Sequence, residues 1–479
     1  MIFDGIPFSH LYQHKKDGLH RRVVPFIRFL EQRLNVSVLA DRKDFPYERP
    51  DLAEQFSLAH ILKQKGIIKS FRPQQALCDE PPIKSWMCEY TSPIRSVTAG
   101  ASIDSDEDAL TAALAEGLER YIWITQDDYF KRPIRASVQK IASYGKYIDP
   151  RQFVSFSEAQ RKADSKLTIK EDSTYMWIRA RSHTDNKTVY VPAQTISSAW
   201  RPLQQTPAEP LIRQQSTIGL ATWPTHKGAI LAGALEVIER EAYAIMWFNQ
   251  LTVPRILLLP LQEENAPLNA LVKKCEQYQL RVHALQMPTD APAHAIAAIL
   301  EDISGHAPRF AIGLKAHRSL PQAIEGAILE ALRARRGARK FVATGPWDGT
   351  TPIEKIGHRE RLHYWADPKN SERLSFLIGG AEFDYTKTPW ENDTETEHLN
   401  RVLDWCRAND FTCASVSLGD SKANPTPWYI EMVVIPELHP IHLTEPMRHL
   451  GGMRLKNVPR QLGFTPRDTP FIDAPHPYT

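Results

Sequence analysis

Cysteine is scarce in this sequence. The 479 residues include five cysteines, spread along the chain: Cys78, Cys88, Cys275, Cys406 and Cys413. No pair has the spacing of metal ligands, and the odd number does not suggest a disulfide framework. Cysteine usage of this kind is typical of a reducing compartment, so we expect a cytoplasmic protein.

A large net charge and long apolar runs are also missing. The formal net charge is only +3, which gives no general argument for binding nucleic acid or a membrane surface. No uninterrupted apolar stretch reaches the about 18 residues of a membrane helix. The first residues, MIFDGIPFSHLYQHKK, lack the sustained apolar core of a signal peptide. We therefore expect neither a nucleic-acid partner nor a membrane span.

The known phosphate-binding loops are absent too. Neither G-x-x-x-x-G-K-[ST] nor G-x-G-x-x-G occurs in the sequence. A small-residue turn, TAGAS, ends at Ser102. Any nucleotide site in this chain must therefore be built mainly from helix side chains.

The motif E-x-x-E-R is present twice, 120 residues apart. Its members are Glu116, Glu119 and Arg120 in the first copy and Glu236, Glu239 and Arg240 in the second. Residues i and i+3 share one face of a helix, so each copy presents two carboxylates in one direction. The second copy lies in GAILAGALEVIEREAYAIMWF, which is apolar on nearly every side and is predicted to be a buried helix.

Buried carboxylates are costly unless they are paired or bind a metal ion. Two such helices facing one cleft would bring together four carboxylates, a ligand set that suits Mg²⁺ with a nucleoside triphosphate. A single E-x-x-E-R helix is more often a solvated face or a local ion pair, and that alternative stays open for each copy.

Other elements are predicted from capping and periodicity. Helices are expected at about 105–125, 226–251 and 320–336, the last ending near Gly337. A hairpin is expected at 174–193, and residues 202–213 are expected to form an exposed, proline-rich loop. Residues 36–40, VSVLA, form a possible strand. Arg335 in the third helix suits phosphate binding, or is part of a basic helix terminus that complements the helix dipole.

These motifs resemble the ATP-site signatures of the YcaO family. The turn at Ser102 followed by ALAEGLERY resembles the first signature, and STIGLA followed by AILAGALEVIEREA resembles the second. ILEALRAR at 328–335 resembles the third. The resemblance covers roughly residues 75–479 and implies an α+β fold with mixed and antiparallel sheets and packed helices. We predict an N-terminal accessory region at 1–75, a catalytic domain at 76–458 and a proline-rich tail at 459–479.

The resemblance implies that ATP and Mg²⁺ are bound. The implied metal ligands are Glu116, Glu119, Glu236 and Glu239, and the further nucleotide-binding residues are Ser102, Arg120, Gln215, Ser216, Arg240 and Arg335. Two asparagines common in relatives are replaced here by Ile218 and Pro224. We expect Gln215, Ser216 or Thr217 to compensate.

The end of the chain resembles the azoline-forming branch of the family. Relatives usually end in P-x-P-x-P, and this chain matches at Pro475 and Pro477 but has Thr479 in the last position. The resemblance implies a catalytic role for this end, with the Thr479 α-carboxylate able to act as a base. A disordered terminus is the alternative.

The implied activity is ATP-dependent cyclodehydration of Cys, Ser or Thr in a ribosomally made peptide. Thioamide formation and a non-enzymatic nucleotide-binding scaffold remain alternatives. The implied partners are the precursor peptide, a leader-binding protein resembling ubiquitin-activating enzymes, a flavin-dependent dehydrogenase, and a second copy of this chain within a larger complex.

Overall fold

A computed structural model describes residues 49–478 except 93–95, 126–132, 199, 344, 346, 348 and 420–423. Contacts divide the chain into two compact units: unit 1 comprises residues up to 78 together with 82–118, and unit 2 comprises 79–81 and 119 onward. The strand predicted at 36–40 and Thr479 both lie outside the described residues.

Unit 1 contains a small antiparallel sheet and two helical segments. Its elements are α1 (Ala53–Gln64), β1 (Ile68–Pro73), β2 (Lys84–Tyr90), β3 (Ser96–Ser102) and α2 (Asp106–Thr125), of which residues up to Leu118 belong to this unit. The strand order is β1-β2-β3, so the boundary predicted at residue 75 falls between two strands of one sheet. As predicted, Ser105 caps α2, with its Oγ accepting a hydrogen bond from the Asp108 N–H at 3.0 Å.

Unit 2 contains two larger sheets. The strands are β4 (Ile134–Ser137), β5 (Thr174–Ser182), β6 (Thr188–Pro192), β7 (Leu220–Trp223), β8 (Arg255–Ile256), β9 (Leu280–Gln286), β10 (His294–Asp302), β11 (Phe310–His317), β12 (Glu382–Phe383), β13 (Ala414–Ser417) and β14 (Tyr429–Val434). One sheet has the order β4-β5-β13-β14-β7 with β6 beside β5, and the other has β11-β10-β9-β8-β12. Only the β8–β12 pair among these ladders is parallel in the described part of the chain. The predicted hairpin is confirmed as β5–β6.

The helices of unit 2 pack around these sheets. They are α3 (Val138–Ile141), α4 (Glu158–Ala163), α5 (His226–Asn249), α6 (Leu258–Glu264), α7 (Ala266–Gln277), α8 (Leu320–Val342), α9 (His358–Ala366), α10 (Pro368–Ser371), α11 (Glu395–Ala408) and α12 (Arg454–Gln461). The tail boundary predicted at 459 falls inside α12, so the extended tail begins after this helix.

Two predictions about local structure were wrong. Helix α8 does not end near Gly337 but continues to Val342, because a glycine in a helix costs only about 1 kcal/mol and packing outweighs that cost. The segment 202–213 is not simply exposed, since Glu209 and Ile212 are fully buried. Glu209 is held by the Met176 N–H at 2.7 Å and by the Trp200 indole N–H at 3.0 Å.

The core of unit 2 surrounds α5, which is buried along most of its length as predicted. Its C-terminal half packs in one cluster with β10, β11, α9 and the end of the chain, represented by Trp247, Ile299, Leu314, Trp365 and Tyr478. Phe471 donates its backbone N–H to the Phe248 carbonyl at 2.7 Å. The tail is therefore packed on α5, the helix that carries the second E-x-x-E-R motif.

Helix α8 lies against β11 at a glycine. A Cβ on Gly313 would lie 2.1 Å from the Ala327 carbonyl oxygen, closer than real atoms approach. We expect Gly313→Ala to lower the free energy of unfolding by about 1–3 kcal/mol. Gly337→Ala is the matched control, because its Cβ would meet its nearest neighbour at 3.6 Å and should stabilise α8 by up to about 1 kcal/mol. Equal effects of the two variants in urea denaturation would contradict this packing.

Candidate functional site

Helix α5 brings three members of the second motif together. The Arg240 guanidinium donates to Glu239 and, at 3.1 Å, to Glu236. The other Glu236 carboxylate oxygen accepts the Gly219 N–H at 3.0 Å. Gly219 has φ +90°, and a Cβ there would lie 2.1 Å from the Val433 carbonyl oxygen. Only glycine fits this turn, so the STIGLA segment positions Glu236 through its backbone.

Glu239 is the most constrained carboxylate of the site. Its side chain is buried, and its Oε2 accepts the Ala316 N–H of β11 at 2.7 Å. Burial raises its pKa above the usual range, and the neighbouring Glu330 and Glu236 add to this while Arg240 opposes it. An anionic Glu239 therefore costs free energy that an additional cation would offset.

Helix α8 adds a third acid that the sequence analysis missed. Glu330 accepts the Leu314 N–H at 2.5 Å and the Tyr478 hydroxyl at 2.9 Å. The Tyr478 ring in turn lies over the Arg240 guanidinium, with 4.5 Å between the guanidinium carbon and the ring centroid. We call Glu236, Glu239, Arg240, Glu330 and Tyr478 the acidic cluster. Glu330 lies within the quoted ILEALRAR segment, so its helix was predicted but its role was not.

The donor set of the acidic cluster fits a divalent cation. Arg240 donates to two of the three carboxylates, Glu236 and Glu239, and the pKa of Glu239 is raised by its burial. Carboxylate oxygens are the ligands that Mg²⁺ takes, together with phosphate oxygens and water. The cluster is thus suited to Mg²⁺ and the phosphates that accompany it.

The first motif is placed on α2, as predicted. Glu119 is buried, and its carboxylate lies 4.0 Å from the Arg120 guanidinium. Glu116 and Ser102 belong to unit 1, where the Ser102 hydroxyl accepts the Ser105 N–H at 3.3 Å. The convergence of the two acidic pairs on one cleft stays a prediction.

Three other predicted residues have protein partners. Arg335 is buried and donates to Asp302 at 2.5 Å, with Glu80 at 3.6 Å. The Gln215 side-chain amide donates to the Ser197 and Trp200 carbonyls at 2.6 and 2.8 Å. Ser216 accepts the Ile218 N–H at 3.4 Å. The nucleotide-binding roles of Arg335, Gln215 and Ser216 remain predictions.

The described part of the proline-rich tail reaches the acidic cluster through Tyr478. Trp365 donates its indole N–H to the Pro475 carbonyl at 3.1 Å, and the Tyr478 N–H donates to the Tyr243 hydroxyl at 3.2 Å. Tyr478 is buried. Tyr478 thus lies beside carboxylates of α5 and α8. Catalysis by Pro475, Pro477 and Thr479 stays a prediction.

A buried ion network lies beneath the tail. Glu445 accepts hydrogen bonds from Arg361 at 3.0 Å and Arg448 at 2.6 Å, and His442 lies 3.1 Å away. These partners lower the Glu445 pKa to about 2 although burial alone would raise it. The cluster His442, Glu445 and His476 has a metal-like arrangement. Because two guanidinium groups already neutralise Glu445, we interpret it as an ion network and not as a metal centre.

Comparison with protein families decides the assignment. The family model described as YcaO cyclodehydratase, ATP- and Mg²⁺-binding, matches residues 101–439. The chain belongs to the YcaO family. ATP and Mg²⁺, the cofactors expected from the motifs, are thereby confirmed. The same match supports an ATP-dependent enzyme.

The other comparisons are more distant. An uncharacterized protein of Methanothermobacter thermautotrophicus is 23% identical over 203 residues, which are 41% of this chain and 51% of that protein. The YcaO chain thus spans about half of that relative. A heterocyclase solved in complex with substrate and cofactor has a TM-score of 0.68 at 18% identity, covering 88% of this chain and 57% of the other.

Two further solved structures share the fold over nearly their whole length. YcaO from Methanopyrus kandleri, bound with AMPPCP and Mg²⁺, has a TM-score of 0.60 at 16% identity, covering 84% of this chain and 94% of the other. A chain of the E. coli microcin synthetase McbBCD complex with pro-MccB17 bound has a TM-score of 0.57 at 12% identity, covering 85% and 96%. The predicted α+β fold with mixed and antiparallel sheets is confirmed. Within the described residues, no helix combines the length and apolar character needed to cross a membrane.

Proposed function

We propose that this YcaO protein forms azoline rings in a ribosomally made precursor peptide at the expense of ATP. A Cys, Ser or Thr side chain of the peptide attacks the preceding backbone carbonyl carbon. The oxygen of the resulting adduct takes the γ-phosphoryl group of ATP, leaving ADP. The amide nitrogen loses its proton and phosphate departs with the former carbonyl oxygen, which leaves a thiazoline or oxazoline ring.

One observation carries the proposal: the tail and the acidic cluster meet, with Tyr478 touching both Arg240 and Glu330. This contact supports the proposal that the tail and the bound phosphates act on one substrate. The proposed metal ligands are Glu116, Glu119, Glu236 and Glu239. When bound, Mg²⁺ would neutralise the charge that develops on the phosphoryl oxygens.

The other residues have positioning and binding roles in the proposal. Arg240 orients the two carboxylates of α5, and it offers positive charge for a phosphate. Arg120, Arg335, Ser102, Gln215 and Ser216 are proposed to complete the nucleotide site. Pro475 and Pro477 hold the tail extended, so that the α-carboxylate of Thr479 accepts a proton from the substrate.

Partner proteins are part of the proposal. We propose that a separate leader-binding subunit, resembling ubiquitin-activating enzymes, presents the peptide, since holding the substrate in place supplies most of the rate of such a cyclisation. The likeness to a chain of the microcin synthetase complex supports an assembly of several subunits. A flavin-dependent dehydrogenase would then oxidise azolines to azoles, and this chain would act as a dimer in the complex.

Phosphate release separates the proposed enzyme from a nucleotide-binding scaffold. With Mg²⁺, ATP, a leader-bearing peptide rich in Cys and Ser and the leader-binding subunit, we expect phosphate release to rise about a hundredfold over the chain alone. The control peptide has the same leader with Ala in place of Cys, Ser and Thr. Equal rates of phosphate release with both peptides would favour the nucleotide-binding scaffold. Efficient, leader-dependent ring formation by the isolated chain would contradict the need for a partner subunit.

A further inference from the structure

Three side chains hold the backbone of the last described residues. Trp365 of α9 donates to the Pro475 carbonyl at 3.1 Å. Tyr243 of α5 accepts the Tyr478 N–H at 3.2 Å. Arg361 of α9 donates to the Tyr478 carbonyl at 3.1 Å. Each contact is made to a main-chain group, so together they fix the path of the tail whatever its side chains are.

Arg361 is the strongest of the three contacts. Its side chain is 1% exposed, and it donates to the Leu443 carbonyl at 3.1 Å and to Glu445 at 3.0 Å as well as to the tail. Hydrogen bonds from a buried guanidinium are stronger than neutral ones. The Glu445 partner keeps this buried arginine charged and aimed at the tail.

We propose that Arg361 is a positioning residue that sets where the end of the chain lies. The carbonyl it binds begins the peptide bond to Thr479, so its position determines the starting point of the last residue. This inference rests on the proposed function insofar as the tail acts on the reacting atoms. Because its side chain is 1% exposed, Arg361 acts in this proposal through the tail and not by direct contact with the substrate.

A purely structural role for Arg361 is separable from a positioning role. Arg448 binds the same carboxylate, Glu445, at 2.6 Å, and it is also largely buried, with 9% of the residue exposed against 1% for Arg361. Arg448→Met therefore perturbs the same ion network while the bond to the Tyr478 carbonyl remains. Arg361→Met removes the hydrogen bond to the Tyr478 carbonyl as well as the contact with Glu445.

The test uses the full chain with its partner subunit. Carboxypeptidase release of Thr479 and Tyr478, followed by mass spectrometry, reports the order of the tail without substrate. We expect Arg361→Met to speed the release of Tyr478 and to lower kcat for ring formation, each by about tenfold or more. The KM for ATP should stay near the wild-type value. Arg361→Lys should be intermediate, and Arg448→Met should resemble wild type in both measurements.

Trp365→Phe is the milder variant, because it removes the indole N–H bond to the Pro475 carbonyl and part of the ring packing but leaves the Arg361–Glu445 ion pair in place. We expect Trp365→Phe to speed the release of Tyr478 and to lower kcat, so it provides the test if Arg361→Met fails to fold. Equal effects of Arg361→Met and Arg448→Met, or a released tail with unchanged kcat, would overturn the inference. If the wild-type complex forms no rings while Arg361→Met still speeds the release of Tyr478, the proposed function is wrong. The inference that Arg361 holds the tail in place is then retained.

Discussion

Replacing Glu239 with glutamine should lower ATP turnover by about a hundredfold or more while leaving the fold intact. Glutamine keeps the shape of the side chain and one oxygen for the Ala316 N–H, which Glu239 binds at 2.7 Å. It removes the negative charge that a divalent cation needs at this position. The measurements are the phosphate-release rate with peptide and the melting temperature with and without Mg²⁺ and ATP.

The fold should survive this change because the Glu239 carboxylate is not a stabilising charge. Burial raises the pKa of Glu239, so the neutral side chain favours the folded state. This contribution to stability is fully present at acidic pH and is lost as pH rises through the raised pKa. Glu241→Gln is the matched control on the same helix. Glu241 is bound by Arg454 through two hydrogen bonds of 2.8 Å, so this variant should melt earlier yet keep the thermal shift with Mg²⁺ and ATP.

The raised pKa of Glu239 also predicts the pH dependence of nucleotide binding. A metal ligand must be deprotonated, so binding of Mg²⁺ and ATP should strengthen as pH rises through this pKa and should release a proton. The Glu239→Gln variant should lose that dependence. Wild-type turnover in Glu239→Gln, or unchanged pH dependence, would exclude Glu239 as a ligand.

Deleting Ala474 to Thr479 should abolish ring formation, a loss of about a hundredfold or more. Tyr478, which lies within this segment, contacts both Arg240 and Glu330. From the sequence alone we would expect the melting temperature to stay almost unchanged. Because Ala474, His476 and Tyr478 are buried, we expect the deletion to lower stability as well.

Removal of Thr479 alone separates the two effects. This deletion keeps Tyr478 and its contacts with Tyr243 and Arg240. We expect ATP binding and the melting temperature to stay close to wild type while ring formation falls steeply. Ring formation at the wild-type rate would mean that the catalytic base lies elsewhere in the cleft.

Local patterns predicted much of the acidic cluster. The i, i+3 spacing of Glu236 and Glu239 and the apolar character of their helix are visible in the sequence, and α5 is buried as expected. The glycine of the STIGLA segment is explained only by the fold, because a Cβ on Gly219 would collide with the Val433 carbonyl.

The remaining residues of the cluster depend on contacts between distant parts of the chain. Glu330 and Tyr478 are 148 positions apart, yet they share a hydrogen bond of 2.9 Å. No periodicity in either segment reports such a pairing. Arg335 is a similar case, because its buried partner Asp302 lies at the end of β10, 33 positions away, and a helical pattern does not reveal it.

The fate of the backbone carbonyl oxygen shows whether the chain forms rings by ATP-dependent cyclodehydration. A precursor peptide carrying oxygen-18 in the backbone carbonyl before one cysteine is incubated with the chain, its leader-binding subunit, Mg²⁺ and ATP. We expect each ring to form with loss of one water from the peptide and transfer of the label to one phosphate. Rings formed with unlabelled phosphate, or phosphate release without any change in peptide mass, would contradict it.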